Sequence, residues 1–175
     1  GSYEVFSTHV DSSNVAGANR TLSIGSPAQQ RADVATSGSG YMMVYRSATT
    51  PLSRVLAQPL DAAGNPLTTA PIELDASTDS INYPGSPAVA WNGSLYMVAW
   101  SNATGVVAQR LQPNGTLIDP ASFLVMDPGF GPVDVESLGS NFLVVGLRCG
   151  SNCQSIFPIA SRVRGSDGLV PDSPP

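Results

Sequence analysis

The stretch Tyr96-Met97-Val98-Ala99-Trp100 recurs along the chain with small changes, and it decides the fold class. Its counterparts are Tyr-Met-Met-Val-Tyr at 41–45 and Phe-Leu-Val-Val-Gly at 142–146. A valine lies at the same distance before each of these stretches, at Val34, Val89 and Val135. Both alternating sets of side chains in the stretches are apolar, which predicts β-strands that are covered on both faces.

A second repeated block lies downstream of each stretch and defines the length of the repeat. Ala57-Gln58-Pro59-Leu60 is matched at 108–111 and at 160–163, with a fainter copy at 7–10, so successive copies lie 50, 51 and 52 residues apart. After each block comes a turn with a residue suited to positive φ: Asn14, Gly64, Gly115 and the pair Asp167-Gly168. Each unit therefore predicts four short strands separated by turns, and no segment has the period of a helix.

The repeats predict a single domain over residues 1–175. We expect a half unit at 1–26, a complete unit at 27–80, a second complete unit at 81–128, an incomplete third unit at 129–170 and a tail at 171–175. The fold class expected is all-β, with stacked four-stranded antiparallel blades that form a partial or open β-propeller-like arrangement, because such a stack covers both faces of each sheet.

The strand count bears on whether this stack closes. The units predict thirteen strands, beginning near 3–10 and 20–25 with the last two strands of a unit. A closed propeller needs roughly four to eight four-stranded blades. We therefore expect a segment of a longer protein, with Gly1-Ser2 as a cloning remnant, or a chain that self-associates. Another β stack, such as a sandwich, is the remaining alternative.

The middle unit resembles one repeat of a family of bacterial secreted propeller-like proteins. The resemblance rests on Pro-x-Val-Ala-x-Asn-Gly at 87–93, the aliphatic strand that ends in Trp100, Ala-x-Arg at 108–110 and the connection at 115–120 that ends in Asp-Pro. It extends loosely over 1–170, although Tyr45 and Gly146 stand where the motif has Trp. It implies a propeller-like fold and an exported bacterial module, and it specifies no activity.

Composition excludes several classes of function. The chain has 12% charged residues, a net charge of -5 and eight arginines with no lysine, so it has no basic surface for nucleic acid. The longest apolar runs, 95–100 and 142–147, are far shorter than the roughly 20 residues of a membrane-spanning helix. One His and two Cys leave little material for a metal or cofactor site, and we expect neither.

The two cysteines, Cys149 and Cys153, flank a Gly-Ser-Asn turn after an aliphatic strand. This arrangement predicts a local disulfide that holds a loop between strands, as in an exported protein, and the chain is expected to be extracellular or at a cell surface. A redox pair or half of a metal site is the alternative. His9 aligns with Pro59, Arg110 and Arg162, so we expect that repeat position to face solvent and His9 not to be catalytic.

The candidate binding residues are two aromatic and two acidic side chains. Trp91 and Tyr83 lie beside predicted turns, which favours exposed aromatic contacts. Asp33 and Asp134 occupy equivalent positions in the first strands of their units. They either line a shared mouth of the stack, where they bind a sugar or a cation, or discourage pairing between sheet edges.

These observations lead to three hypotheses about function. The first is a non-catalytic extracellular repeat module that recognises a protein or a glycan, or acts as a spacer in a larger surface protein. The second is a self-assembling protein whose open strand edges pair with another copy. The third is an enzyme of the glycoside hydrolase or lyase type, in which Asp33, Asp134 and Glu136 supply acid and base. We favour the first.

Overall fold

The computed structural model describes residues 6–8, 10, 12–21, 29–49, 52–77, 85–127, 129–149 and 155–172. These residues form thirteen strands and no helix, in antiparallel sheets of two, four, four and three strands. For the part of the chain that the structure describes, the prediction of an all-β fold with thirteen strands is confirmed. The described residues show no closed ring of sheets.

In each sheet, strands that follow one another in sequence lie side by side. The N-terminal pair consists of β1 (Phe6–Ser7) and β2 (Arg20–Thr21). The first sheet consists of β3 (Gln29–Thr36), β4 (Gly40–Thr49), β5 (Leu52–Asp61) and β6 (Ile72–Ser77). The second sheet consists of β7 (Ala88–Trp91), β8 (Tyr96–Asn102), β9 (Gly105–Leu111) and β10 (Phe123–Met126). The third sheet consists of β11 (Phe130–Leu138), β12 (Asn141–Cys149) and β13 (Ile156–Val163).

The turns that follow the third strand of each unit share a residue with positive φ. Positive φ occurs at Asn14 (61°), Gly64 (78°), Gly115 (89°) and Gly168 (75°), as the repeat predicts. In the Asp167-Gly168 pair, the residue with positive φ is Gly168. Gly64 N donates to Asp61 O at 3.0 Å, and Gly115 N donates to Gln112 O at 2.9 Å. The two complete units therefore form equivalent turns, as expected from a structural repeat, while Gly168 N in the third unit donates to Arg164 O, four residues earlier.

Two apolar clusters join the successive sheets. The first cluster combines Met42 and Val44 of the first sheet with Val98 and Trp100 of the second. The second cluster combines Met97 and Ala99 of the second sheet with Phe142 and Val144 of the third. Successive residues of a strand point to opposite faces of the sheet. One face of the second sheet therefore packs on the first sheet, and the other face packs on the third sheet. This accounts for the apolar character of both faces of Tyr96-Met97-Val98-Ala99-Trp100.

The third sheet has one covered face and one face open to solvent. Phe142 and Val144 point to the second sheet, whereas the alternate residue Leu143 is 40% exposed. The strand registers place Glu136 of β11, Leu143 of β12 and Arg162 of β13 in one row across the sheet. We call the face that carries this row, together with the adjacent row of Asp134, Val145 and Ala160, the outer face of the third sheet.

Candidate functional site

The joint between the first and second sheets uses partly buried polar groups of both. The Asp33 carboxylate accepts hydrogen bonds from Val34 N at 2.8 Å and from Val89 N on β7 at 2.9 Å. Both carboxylate oxygens of Asp33 therefore hold backbone groups, one of them in the next sheet. This bond fixes the position of β7 against β3.

A second carboxylate, Asp75 of β6, receives side chains from the second sheet. The indole Nε1 of the fully buried Trp100 donates to Asp75 Oδ2 at 2.6 Å, and Asn102 Nδ2 donates to the same oxygen at 3.0 Å. A buried indole N–H requires an acceptor, and this one comes from the preceding repeat. Asp75 is thus a structural carboxylate that joins two units.

The joint between the second and third sheets contains a buried ion pair. Arg110 Nη2 lies 2.5 Å from Asp119 Oδ1, and the side chains of Arg110 and Asp119 are only 7% and 11% exposed. Arg110 Nη1 reaches across the joint and donates to Gly165 O at 2.8 Å. The expectation that this repeat position faces solvent is therefore wrong at Arg110, because Asp119 neutralises its charge and the third unit covers it.

The third unit repeats this ion pair in an exposed form. Arg162 binds Asp172 through Nε and Nη2, at 2.9 and 2.6 Å, and Asp172 Oδ2 also accepts a hydrogen bond from Arg162 N. These side chains are 67% and 30% exposed. The hydrogen bond from the Arg162 side chain lowers the pKa of Asp172 to about 2. Arg162 and Asp172 thus have the geometry of Arg110 and Asp119 without a covering unit.

An open groove lies beside the buried ion pair, between connections of the second and third units. Its volume is about 470 Å³, and its lining residues are Asp119, Pro120, Ala121, Phe123, Asp167, Gly168 and Leu169. Leu169 is exposed, while Phe123 is partly buried against the second cluster. Asp167 is held by Arg164 at 3.0 Å. The groove therefore combines an aromatic edge, aliphatic surface and carboxylates.

The structure separates the acidic residues singled out from the sequence. Asp33 lies in the first sheet and takes part in the joint with β7, whereas Asp134 and Glu136 are exposed on β11. Asp134 Oδ1 accepts a hydrogen bond from Val135 N at 2.9 Å, matching the bond between Asp33 and Val34. The equivalence of Asp33 and Asp134 is therefore structural. Their role in binding a ligand stays a prediction.

The described residues include only some of those predicted to form aromatic contacts and the disulfide. Trp91 is half-buried at the end of β7, and its ring packs on Tyr96 with centroids 4.7 Å apart. Tyr83, His9 and Cys153 lie outside the described residues, as does the side chain of Cys149. Cys149 ends β12 and Ile156 begins β13, so Cys149 adjoins the connection between these strands. The disulfide and the binding roles of Trp91 and Tyr83 stay predictions.

The sequence analysis did not predict the contact of Arg110 with Asp119 or that of Trp100 with Asp75. A signal for the first pair was present, because an Arg in the third strand is followed by an Asp near the end of the unit again at Arg162 and Asp172. No equivalent signal exists for Asp75, since the third unit has Gly146 at the position of Trp100. That glycine leaves space which Val106 and Met126 occupy.

Other observations bear on chemistry in the described part of the chain. There, no group of three or more His, Cys, Asp and Glu residues is placed to hold a metal ion. None of the same residues forms a helix capable of crossing a membrane. Comparison of the chain with models of known protein families and with curated proteins finds no match.

Proposed function

We propose that this chain is a non-catalytic extracellular repeat module, built as a partial propeller-like stack, that binds a glycan in the groove beside Phe123 and Leu169. The observation that carries the proposal is the composition of this groove. Aromatic and aliphatic surface can pack on the apolar face of a sugar ring. The exposed Asp167 carboxylate, which has more lone pairs than Arg164 and Leu169 N use, can accept hydrogen bonds from the sugar hydroxyl groups. A groove about 470 Å³ in volume has room for a short oligosaccharide.

The hydrogen bonds and ion pairs that the acidic residues already form favour binding over catalysis. Both oxygens of Asp33 hold backbone N–H groups, and Asp119 is bound to Arg110. A glycosidase requires one carboxyl group that exchanges a proton and a second one close to the same bond. Asp134 and Glu136 lie on an open sheet face, where water screens the charges that such a mechanism depends on. Repeats joined by buried polar groups also suit a rigid spacer that presents a binding groove.

Titration of the isotopically labelled full chain with soluble oligosaccharides, followed by amide NMR shifts, tests the proposal. Binding in the groove shifts the amide signals of 121–123 and 167–169 first. Leu169→Ala weakens this binding, whereas Leu67→Ala, a control at a similarly exposed leucine in the first unit, leaves it unchanged. Oligosaccharides that shift no groove signal, or an equal effect of the two variants, would contradict the assignment. Release of reducing ends would argue for the glycoside hydrolase hypothesis instead.

A further inference from the structure

The outer face of the third sheet is the counterpart of a face that is covered elsewhere in the molecule. Met97 and Ala99 of the second sheet are fully buried under the third sheet, but their counterparts in the repeat are Leu143, which is 40% exposed, and Val145. The face carries Leu143, Val145 and Ala160 beside charged side chains, and exposed apolar surface on a sheet is normally packed against another layer. The residues of the outer face are thus suited to an interface.

Two of the three charged residues in these rows, Glu136 and Arg162, are arranged in a self-complementary way, and the third, Asp134, lies in the adjacent row. Glu136 lies on one side of Leu143 and Arg162 lies on the other, all in one row across the three strands. Two copies with these faces opposed can be related by a two-fold axis that runs parallel to β12 between the faces. It places β11 of one copy over β13 of the other at the same height along the strands. Glu136 of each copy then faces the partner's Arg162, and the two leucines meet near the axis.

Arg162 also has a free donor for this contact. It uses Nε and Nη2 for Asp172, which leaves Nη1 without an acceptor among the described residues. The buried counterpart Arg110 binds Asp119 with the same two groups and sends its Nη1 across a sheet joint to Gly165 O. The same geometry directs Nη1 of Arg162 toward whatever layer covers the outer face.

We infer that two copies of this chain form a two-fold dimer through the outer faces of their third sheets, with reciprocal Glu136–Arg162 contacts around a central pair of Leu143 side chains. Sheets packed in this way lie about 10 Å apart, a distance that side chains of this length can span. The dimer uses sheet faces, unlike the pairing of strand edges that was expected for self-assembly. It does not depend on glycan binding.

Light scattering of the full chain, coupled to size-exclusion chromatography over a dilution series, tests this inference. The wild-type chain is expected at twice its 18.1 kDa mass at high concentration. Glu136→Arg and Arg162→Glu each place like charges opposite one another, so each variant alone is expected to be a monomer. An equimolar mixture of the two variants restores both ion pairs and is expected to recover the dimer.

Controls separate this dimer from other assemblies. Arg54→Glu makes the same change of charge at an exposed ion pair of the first sheet and leaves the dimer intact. Circular dichroism of each variant establishes that the monomers are folded. A wild-type monomer at every concentration overturns the inference, and so does association that survives both interface substitutions, which would indicate strand edges or the N-terminal pair. Failure of the mixed variants to associate also overturns it.

Discussion

Removal of the Asp119 carboxylate is expected to destabilise the protein strongly. The Arg110 side chain is only 7% exposed. In Asp119→Ala, the carbonyl of Gly165 is the one hydrogen-bond acceptor that its guanidinium keeps among the described residues. The substitution also removes the acceptor of Arg110 N. Breaking a buried ion pair from one side costs about 3–5 kcal/mol, because an uncompensated charge stays in the interior. Urea unfolding followed by tryptophan fluorescence measures the change as a lower midpoint at an unchanged slope.

The third unit supplies a matched control for this measurement. Asp172→Ala removes the same carboxylate from the equivalent pair with Arg162, where the side chains are 67% and 30% exposed and water replaces the lost partner. We therefore expect a far smaller shift of the midpoint. Asp119→Asn, which keeps the shape of the side chain, provides a milder variant if Asp119→Ala does not fold. Equal shifts for Asp119→Ala and Asp172→Ala, measured on the monomer, would refute the argument that burial makes the difference.

Three further predictions concern single residues. Burial raises the pKa of Tyr45 to about 12 from 10.0, so the contribution of Tyr45 to stability is constant well below pH 10 and falls by roughly 2–3 kcal/mol as the pH rises to 12. Tyr45→Phe removes this part of the pH dependence in alkaline unfolding curves. Gly115→Ala costs about 1–3 kcal/mol in urea unfolding, because φ is 89° and the added Cβ meets Pro59 and Ile72. Ser161→Ala is neutral or stabilising by up to about 1 kcal/mol in the same assay, because its buried hydroxyl has no hydrogen-bond partner among the described residues.

The sheets and their turns were predictable because they rest on local chemistry. Alternating apolar residues specify strands, and Gly64 and Gly115 specify turns that need positive φ. Repetition of the pattern then gave the number of strands and their grouping into sheets. The groove beside Phe123 and Leu169 was not predictable, since the two residues come from different units and neither forms part of a motif.

By itself the sequence determined the all-β class, the repeat and the order of the strands, because each of these follows from spacing within about 50 residues. Only the tertiary structure decided which polar residues are buried. Asp33 with Val89 and Arg110 with Gly165 are 56 and 55 residues apart and meet only when successive sheets pack together. Equivalent positions therefore differ in environment: Arg110 is enclosed by the next sheet, whereas Arg162 stands on an open face because no described residue covers it.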